Sequence, residues 1–228
     1  MRSQKYLLHL VLAAVVVSLA GTQLSQAQMP GMPKLYGEFK MPTVGAYVTY
    51  KVTYPQQKQE RLTKMSIVGK EKSPKGQDLY WFEQEETDPK TGDVDIIKML
   101  ISGNPQEIGT ISRMIVKSGK DEASELPQAM IKMINQAPTE KKDSAKPKIK
   151  NLGLEKVKVK DQIMSCTHMS YANQDSTMAD VWTNAKVPLF GMVKSVTPLM
   201  TMELVAQGAN AVTAIKEQPK QLELPEAK

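Results

Sequence analysis

Cys166 and His168 are the two residues of this 228-residue chain whose types come closest to a nucleophile and its base. They lie two positions apart in an alternating segment, where side chains at i and i+2 point to the same face with Cβ atoms about 6 to 7 Å apart. At that separation the imidazole cannot take the thiol proton directly. The lone cysteine also cannot form an internal disulfide. We therefore interpret Cys166 as a small buried apolar residue and His168 as hydrogen-bonded structure.

The other polar residues form no recognisable catalytic motif. A Ser-His-Asp triad would have to use His168, since the other histidine, His9, lies near the N-terminus, and no G-x-S-x-G elbow occurs. Glu85, Glu86 and Asp88 offer paired carboxylates such as a glycosidase uses, but they are also typical of a solvated strand end. Gly-rich phosphate loops and metal-spaced histidine pairs do not occur. The sequence predicts a protein that is not an enzyme, with no catalytic residue, cofactor or metal ligand.

Residues 1–27 have the pattern of a cleaved secretory signal. Arg2 and Lys5 form the positive region, residues 6–20 form the apolar region, and Ser25-Gln26-Ala27 supplies small residues two apart. The alternative is a retained anchor, but the apolar run of roughly 15 residues is shorter than the ~20 that span a membrane. Cleavage after Ala27 lowers the formal charge from +6 to +4. We expect the mature protein to be periplasmic or secreted.

The remaining chain is organised as short alternating segments separated by turn residues. Residues 28–45 are predicted to be a flexible lead, 46–216 a single β-rich domain, and 217–228 a polar tail. Turn signals such as Asp88-Pro89-Lys90-Thr91-Gly92 join segments in the manner of an antiparallel meander. The predicted strands are 46–54, 61–69, 78–86, 94–101, 111–117, 155–160, 163–171, 178–185, 200–207 and 211–216.

A helical period replaces the alternation at residues 124–136. Ser124 is the predicted N-cap, and Pro127 is tolerated in the first turn. One apolar stripe on such a helix must face an apolar surface, so we expect it to cover the open face of the sheet. The stripe consists of Leu126, Met130, Met133 and Ile134.

Methionine is unusually frequent among the apolar residues, with 15 copies against three phenylalanines. Its unbranched, soft side chain fills cores and also lines cavities that accept varied shapes. Both interpretations stay open: the methionines fill a core, or they line a cavity between sheet and helix that holds an acyl chain. The expected lining residues are Leu126, Met130, Met133, Ile134, Met164, Met178, Trp182 and Met202. We also expect Trp182 to be buried.

Residues 139–150 contain five lysines and one proline and are predicted to be a solvated loop. A patch for anionic lipid head groups or nucleic acid is the sharper alternative. Aromatic residues for base stacking are missing from this segment, and export makes nucleic acid an unsuitable partner. We expect no nucleic-acid partner and only transient contact with a membrane.

The C-terminal half carries a pattern that resembles a family of uncharacterised exported bacterial proteins. The residues are Val157-Lys158-Val159, Cys166, Asp180-Val181-Trp182-Thr183, and Val187-Pro188-Leu189-Phe190-Gly191-Met192-Val193-Lys194. In layout these sequences are similar to the outer-membrane lipoprotein carrier superfamily. The resemblance implies a curved antiparallel sheet, an unclosed half-barrel, with helix over its concave face and an apolar cavity between them.

These observations predict a mainly β protein whose one main amphipathic helix covers the concave face of a curved antiparallel sheet. The leading functional expectation is non-enzymatic binding of a lipid or acyl chain in a Met-rich apolar cavity. The alternative is a structural or protein-interaction module of the cell envelope, with an envelope protein as partner and no ligand cavity. Connected apolar volume distinguishes the two, because a carrier needs roughly 300 Å³ or more.

Overall fold

The computed structural model describes residues 43–102, 111–136, 148–173 and 176–222. Within these ranges one α-helix accompanies a single twelve-stranded sheet that does not close, so the expected mainly β, half-barrel-like fold is confirmed. The expected signal peptide, most of the lead and most of the lysine-rich loop lie outside the described residues. The strands are β1 Tyr47–Tyr54, β2 Gln59–Lys72, β3 Asp78–Thr87, β4 Val94–Ser102, β5 Ile111–Ser118, β6 Ser124–Glu125, β7 Lys148–Val159, β8 Gln162–Asn173, β9 Ser176–Thr183, β10 Met192–Val196, β11 Thr201–Gly208 and β12 Lys220–Gln221; the helix, α1, is Gln128–Gln136, and a 3₁₀ turn is Pro55–Gln57.

The strand order is β12-β6-β5-β4-β3-β2-β1-β11-β10-β9-β8-β7. Every neighbouring pair is antiparallel except β12 with β6, which is parallel. From β1, the strands β2 to β6 follow one another in sequence order towards one edge of the sheet, where β12 is the outermost strand. The second half begins at the opposite edge with β7 and meanders back until β11 pairs with β1, where Lys51 lies opposite Glu203. This pairing joins the two halves into one sheet.

Most predicted strands are present, and the differences have local causes. Strand β7 begins at Lys148 rather than 155, because it lies at the sheet edge and has no buried residue that would impose alternation. Residues 211–216 form no strand; they cross the sheet as irregular backbone. Part of the expected tail joins the sheet, since Lys220 and Gln221 pair with β6.

The main core lies on one face of the sheet, called the inner face. Tyr50 is fully buried there, and its hydroxyl donates to the carbonyl of Met192 at 2.9 Å, a contact that passes over β11. Burial raises the pKa of the Tyr50 hydroxyl. The loop before β10 also folds onto this face, where Phe190 meets Phe82 edge-on with ring centroids 6.3 Å apart. Both contacts depend on the curvature that brings separate strands together.

A second apolar cluster lies on the opposite, outer face of β3–β5. The irregular C-terminal segment covers it with Ile215, which is buried beside Trp81. The fully buried carboxylate of Glu83 accepts the Thr213 hydroxyl at 2.5 Å and the Ala214 backbone N–H at 2.8 Å. Lys98 donates to the Thr213 oxygen at 3.1 Å. The C-terminal segment is therefore held to the sheet by hydrogen bonds as well as by apolar burial.

Helix α1 differs from its prediction in both its start and its orientation. The carbonyl of Pro127 accepts the first helical hydrogen bonds, and Ser124 lies in β6 instead of capping the helix. Ile131 is 2% exposed, whereas Met133 is 71% exposed. The expectation that Met133 faces apolar surface is therefore wrong. The face towards β5 is instead formed by Gln128, Ile131 and Asn135, which recur at helical spacing.

Candidate functional site

The inner face of β3, β4 and β5 presents its side chains in cross-strand rows, because partners on neighbouring antiparallel strands lie on the same face. Successive rows are two residues apart, which is about 6.7 Å along a strand. Helix α1 lies at one end, where Asn135 bonds the backbone of Ile111. In order from α1, the rows are Tyr80–Ile101–Ile111, Phe82–Met99–Met114 and Gln84–Ile97–Val116.

Exposure of these rows increases with distance from α1. The first row is buried, Met99 of the second row is half-buried, and all of the third row is half-buried. We call Ile97, Met99 and Val116 the inner floor. All three pack against the main core and remain partly exposed. The inner floor is therefore an apolar surface that is closed at the α1 end and open at the other.

A polar row, Glu86–Asp95–Ser118, ends the inner floor at its open side. The Ser118 hydroxyl donates to Asp95 at 2.6 Å, and burial is the main cause that raises the pKa of Glu86. A polar depression of about 420 Å³ opens beyond this row. The apolar inner floor therefore ends at a polar opening, the polar mouth, formed by this row and the depression beyond it. The depression is lined by Arg61, Asp88, Thr91, Asp93, Asp95, Ser118, Gly119, Lys120 and Asp121.

The residues expected to line a cavity fall into three groups. Leu126 and Met202 are buried within the main core, and Met130, Ile134, Met164 and Trp182 are half-buried at its border. Met133 and Met178 are exposed. Trp182 is also less buried than expected, because its indole N–H reaches the carboxylate of Glu155. Of the predicted set, Met130 and Ile134 lie on α1 and pack against the main core.

The sequence interpretation missed the inner floor itself. Strand β4 is apolar on both faces: Ile97 and Met99 face the main core, whereas Ile96 and Leu100 belong to the outer cluster. A strand without clear alternation does not show which face is open. Lys98 lies on the outer, even-numbered face, where it bonds Thr213, and therefore gives no signal for the inner floor.

His168 lies between two carboxylates. Its Nδ1 is 3.0 Å from Glu155 Oε2 and its Nε2 is 3.3 Å from Asp180 Oδ1, while its ring stacks on Trp182 at 4.1 Å. The Trp182 indole N–H donates to the same Glu155 oxygen at 2.7 Å. Both ring nitrogens therefore have partners. This arrangement ties β7, β8 and β9 together.

Cys166 is fully buried, and its thiol lies 3.6 Å from the carbonyl of Met164. Burial, and secondarily the charge of Glu155, raises the pKa of this thiol. A raised thiol pKa lowers the thiolate fraction that nucleophilic attack requires. The geometry therefore does not present Cys166 and His168 as an activated pair.

Among the described residues, no three or more histidine, cysteine, aspartate or glutamate side chains are placed to hold a metal ion. The described part of the chain also contains no helix with the length and apolarity to cross a membrane. No protein-family model matches this chain, and no curated protein matches its sequence.

Proposed function

We propose that this protein is an exported, non-enzymatic binding protein that holds a lipid or acyl chain on the inner face of its sheet. The observation that carries the proposal is the inner floor of Ile97, Met99 and Val116, half-buried between a closed end at α1 and a polar mouth. The resemblance of residues 157–194 to exported proteins that are similar in layout to the lipoprotein carrier superfamily is in keeping with this proposal.

The binding energy would come from apolar contact. Each methylene that an acyl chain removes from water is worth about 0.8 kcal/mol. The three rows extend over about 13 Å, because two steps of about 6.7 Å separate the first from the third. Met99 can adapt to chains of different shape, since its thioether side chain is unbranched and soft. The inner floor therefore suits a flexible apolar chain better than a rigid ligand.

The polar row sets the direction of the ligand. Glu86, Asp95 and Ser118 lie where the apolar surface ends, so the polar end of an amphiphile would lie beside them and its tail would point to α1. Arg61 approaches the same mouth and is paired with Asp88 at 2.8 Å. A head group bound at this mouth would lie near the positive charge of Arg61 and the negative charge of Asp88.

The test is uptake of a fluorescent fatty acid by the purified mature protein. Replacing Ile97 and Val116 together by threonine keeps β-branched side chains but makes the inner floor polar. We expect at least tenfold weaker uptake, equivalent to ~1.4 kcal/mol. The matched control replaces the exposed apolar residues Leu199 and Val212 by threonine and should leave uptake unchanged.

Two outcomes would overturn the proposal. The first is a wild-type protein that takes up neither fatty acid nor lysophospholipid and carries no lipid in native mass spectra when purified from its source. The second is uptake that the inner-floor variant and the control reduce equally. The first outcome favours the alternative, an envelope interaction module without a ligand.

A further inference from the structure

The two edges of the sheet end differently. At the β5 edge, side-chain amides of α1 bond the backbone of Ile111 and Ser112, and β12 pairs with β6. At the other edge, β8 is the one strand among the described residues that is hydrogen-bonded to β7, although Val157 and Val159 of β7 pack against the main core. Strand β7 is 12 residues long and contains no buried residue. Within the described ranges, one edge is thus covered and the other is open.

An open antiparallel edge has backbone groups without partners. Alternate residues of β7 direct their N–H and C=O groups to β8, and the residues between them direct theirs outward. Such a row is a template for an additional strand. A bulge at Leu152, with Gly153 at φ +96°, interrupts the strand, and residues 154–159 then pair with β8 without a further shift in register. Because its pairing with β8 is regular, the segment 154–159 is the part of β7 best suited to accept a strand.

The lysines of β7 lack partners of opposite sign among the described residues. Most cations elsewhere in the sheet are paired, for example Lys64 with Glu85 at 2.6 Å and Lys194 with Glu203 at 3.1 Å. No ion pair between described residues involves the lysines of β7 or of the turn that follows it. The carboxylate of β7, Glu155, already contacts His168 and Trp182. The unpaired lysines are Lys148, Lys150, Lys156, Lys158 and Lys160.

Apolar side chains lie among these lysines. Leu154 is 79% exposed, and Ile163, the cross-strand partner of Lys158, is 71% exposed. Leu154, Lys156 and Lys158 alternate along the strand and therefore share one face. Lysines alone would suffice to protect an edge against aggregation. The exposed leucine and isoleucine add apolar contact area that protection does not require.

We infer that β7 accepts an extended acidic segment of another protein as an additional strand of the sheet. The segment would place carboxylates beside Lys156 and Lys158 and an apolar side chain beside Leu154. A second copy of this chain fits poorly, because pairing two β7 strands brings lysines together, and like charges opposite each other destabilise a sheet. This inference is independent of lipid binding, which uses the inner face of β3–β5.

The test uses the full mature protein and a fluorescein-labelled peptide in which glutamate alternates with valine. A matched peptide carries lysine in place of glutamate. We expect fluorescence anisotropy to report binding of the acidic peptide alone, and added salt to weaken it because the attraction is electrostatic. Hydrogen exchange should slow in residues 154–159 when the acidic peptide is bound.

The variant that tests the charges is Lys156→Glu with Lys158→Glu. Its control, Lys75→Glu with Lys90→Glu, changes the net charge equally in two exposed turns. We expect the β7 variant to bind the acidic peptide at least tenfold more weakly and the control to stay within twofold. If the charge reversal unfolds the protein, as circular dichroism would show, Lys156→Gln with Lys158→Gln should still weaken binding severalfold.

Four results would overturn the inference. One is equal binding of the acidic and basic peptides. The second is protection from exchange outside β7, and the third is an equal loss of binding in the control variant. The fourth is a wild-type dimer in analytical ultracentrifugation that the Lys156→Glu, Lys158→Glu variant abolishes, since a second copy would then be the occupant of this edge.

Discussion

The side-chain amide of Asn135 bonds both backbone groups of Ile111. Its Oδ1 accepts the Ile111 N–H at 3.2 Å, and its Nδ2 donates to the Ile111 carbonyl at 2.9 Å. A neighbouring strand would make the same pair of bonds. Helix α1 thereby replaces a strand at this end of β5, where β6 does not reach. The helix fastens the sheet edge in addition to packing Ile131 against the core.

We predict that Asn135→Leu destabilises the protein by about 1 to 3 kcal/mol, because it leaves two partly buried backbone groups without partners. Urea unfolding measures the change. The control Gln128→Leu removes a single, exposed bond to the Ser112 carbonyl and should cost less. Equal losses in the two variants would contradict the assignment of Asn135 as a substitute for a strand.

The presence of helix α1 could be predicted from the sequence, but its orientation could not. The helix was predictable because apolar residues recur at its period, but two phases fitted that period almost equally well. One phase places Met133 inward and the other places Ile131 inward. The deciding contacts are the amide bonds of Gln128 and Asn135 to β5, and polar residues carry no weight in an apolar pattern. Contacts between the helix and the edge of a separate strand cannot be predicted from the residues of the helix alone.

The β-rich fold was predictable for a physical reason. In β1, Val48, Tyr50 and Val52 alternate with less buried residues because only one of its faces is covered. In β3 the residues Tyr80 to Glu83 are buried without alternation, since the C-terminal segment covers the outer face. Which remote segment covers a face depends on tertiary packing, so the outer cluster and the inner floor were both missed.

The two tryptophans should differ in their contribution to stability. Trp81 is buried in the outer cluster, donates to Glu71 at 2.7 Å, and has Lys98 and Arg113 about 5 Å from its ring centre. Trp182 is half-buried and stacked on His168. We predict that Trp81→Ala costs about 3 to 5 kcal/mol, the usual range for a buried aromatic residue, and Trp182→Ala clearly less. Chemical denaturation of both variants checks the order; a larger loss for Trp182→Ala would contradict it.

Thr213 should be essential for holding the C-terminal segment. Its hydroxyl is a partner of the buried Glu83 carboxylate, and Thr213→Val removes that partner without changing the side-chain shape. We predict a loss of about 1 to 3 kcal/mol, the cost of an unmade buried hydrogen bond. Hydrogen exchange should also become faster in residues 211–217. The control is Thr49→Val in the partly exposed part of β1; an equal loss there would indicate a general effect of replacing threonine in this protein.

The ion pair between Lys117 and Glu217 should make the same segment sensitive to acid. Lys117 Nζ lies 2.5 Å from Glu217 Oε1, and this contact is the main cause that lowers the pKa of Glu217 from 4.5 to about 2. A carboxyl whose pKa is lower in the folded state stabilises the protein above its unfolded pKa. That contribution is present above pH 4.5 and is lost as the pH falls towards about 2.

We therefore predict that Glu217→Gln is less stable than the wild type at pH 7 and that the difference shrinks as the pH is lowered through this window. Urea unfolding at pH 7, 4 and 3 measures the difference. The partner variant Lys117→Met should show the same convergence, because it removes the same ion pair from the other side. A stability difference that stays constant from pH 7 to pH 3 would show that the pair does not couple the C-terminal segment to proton binding.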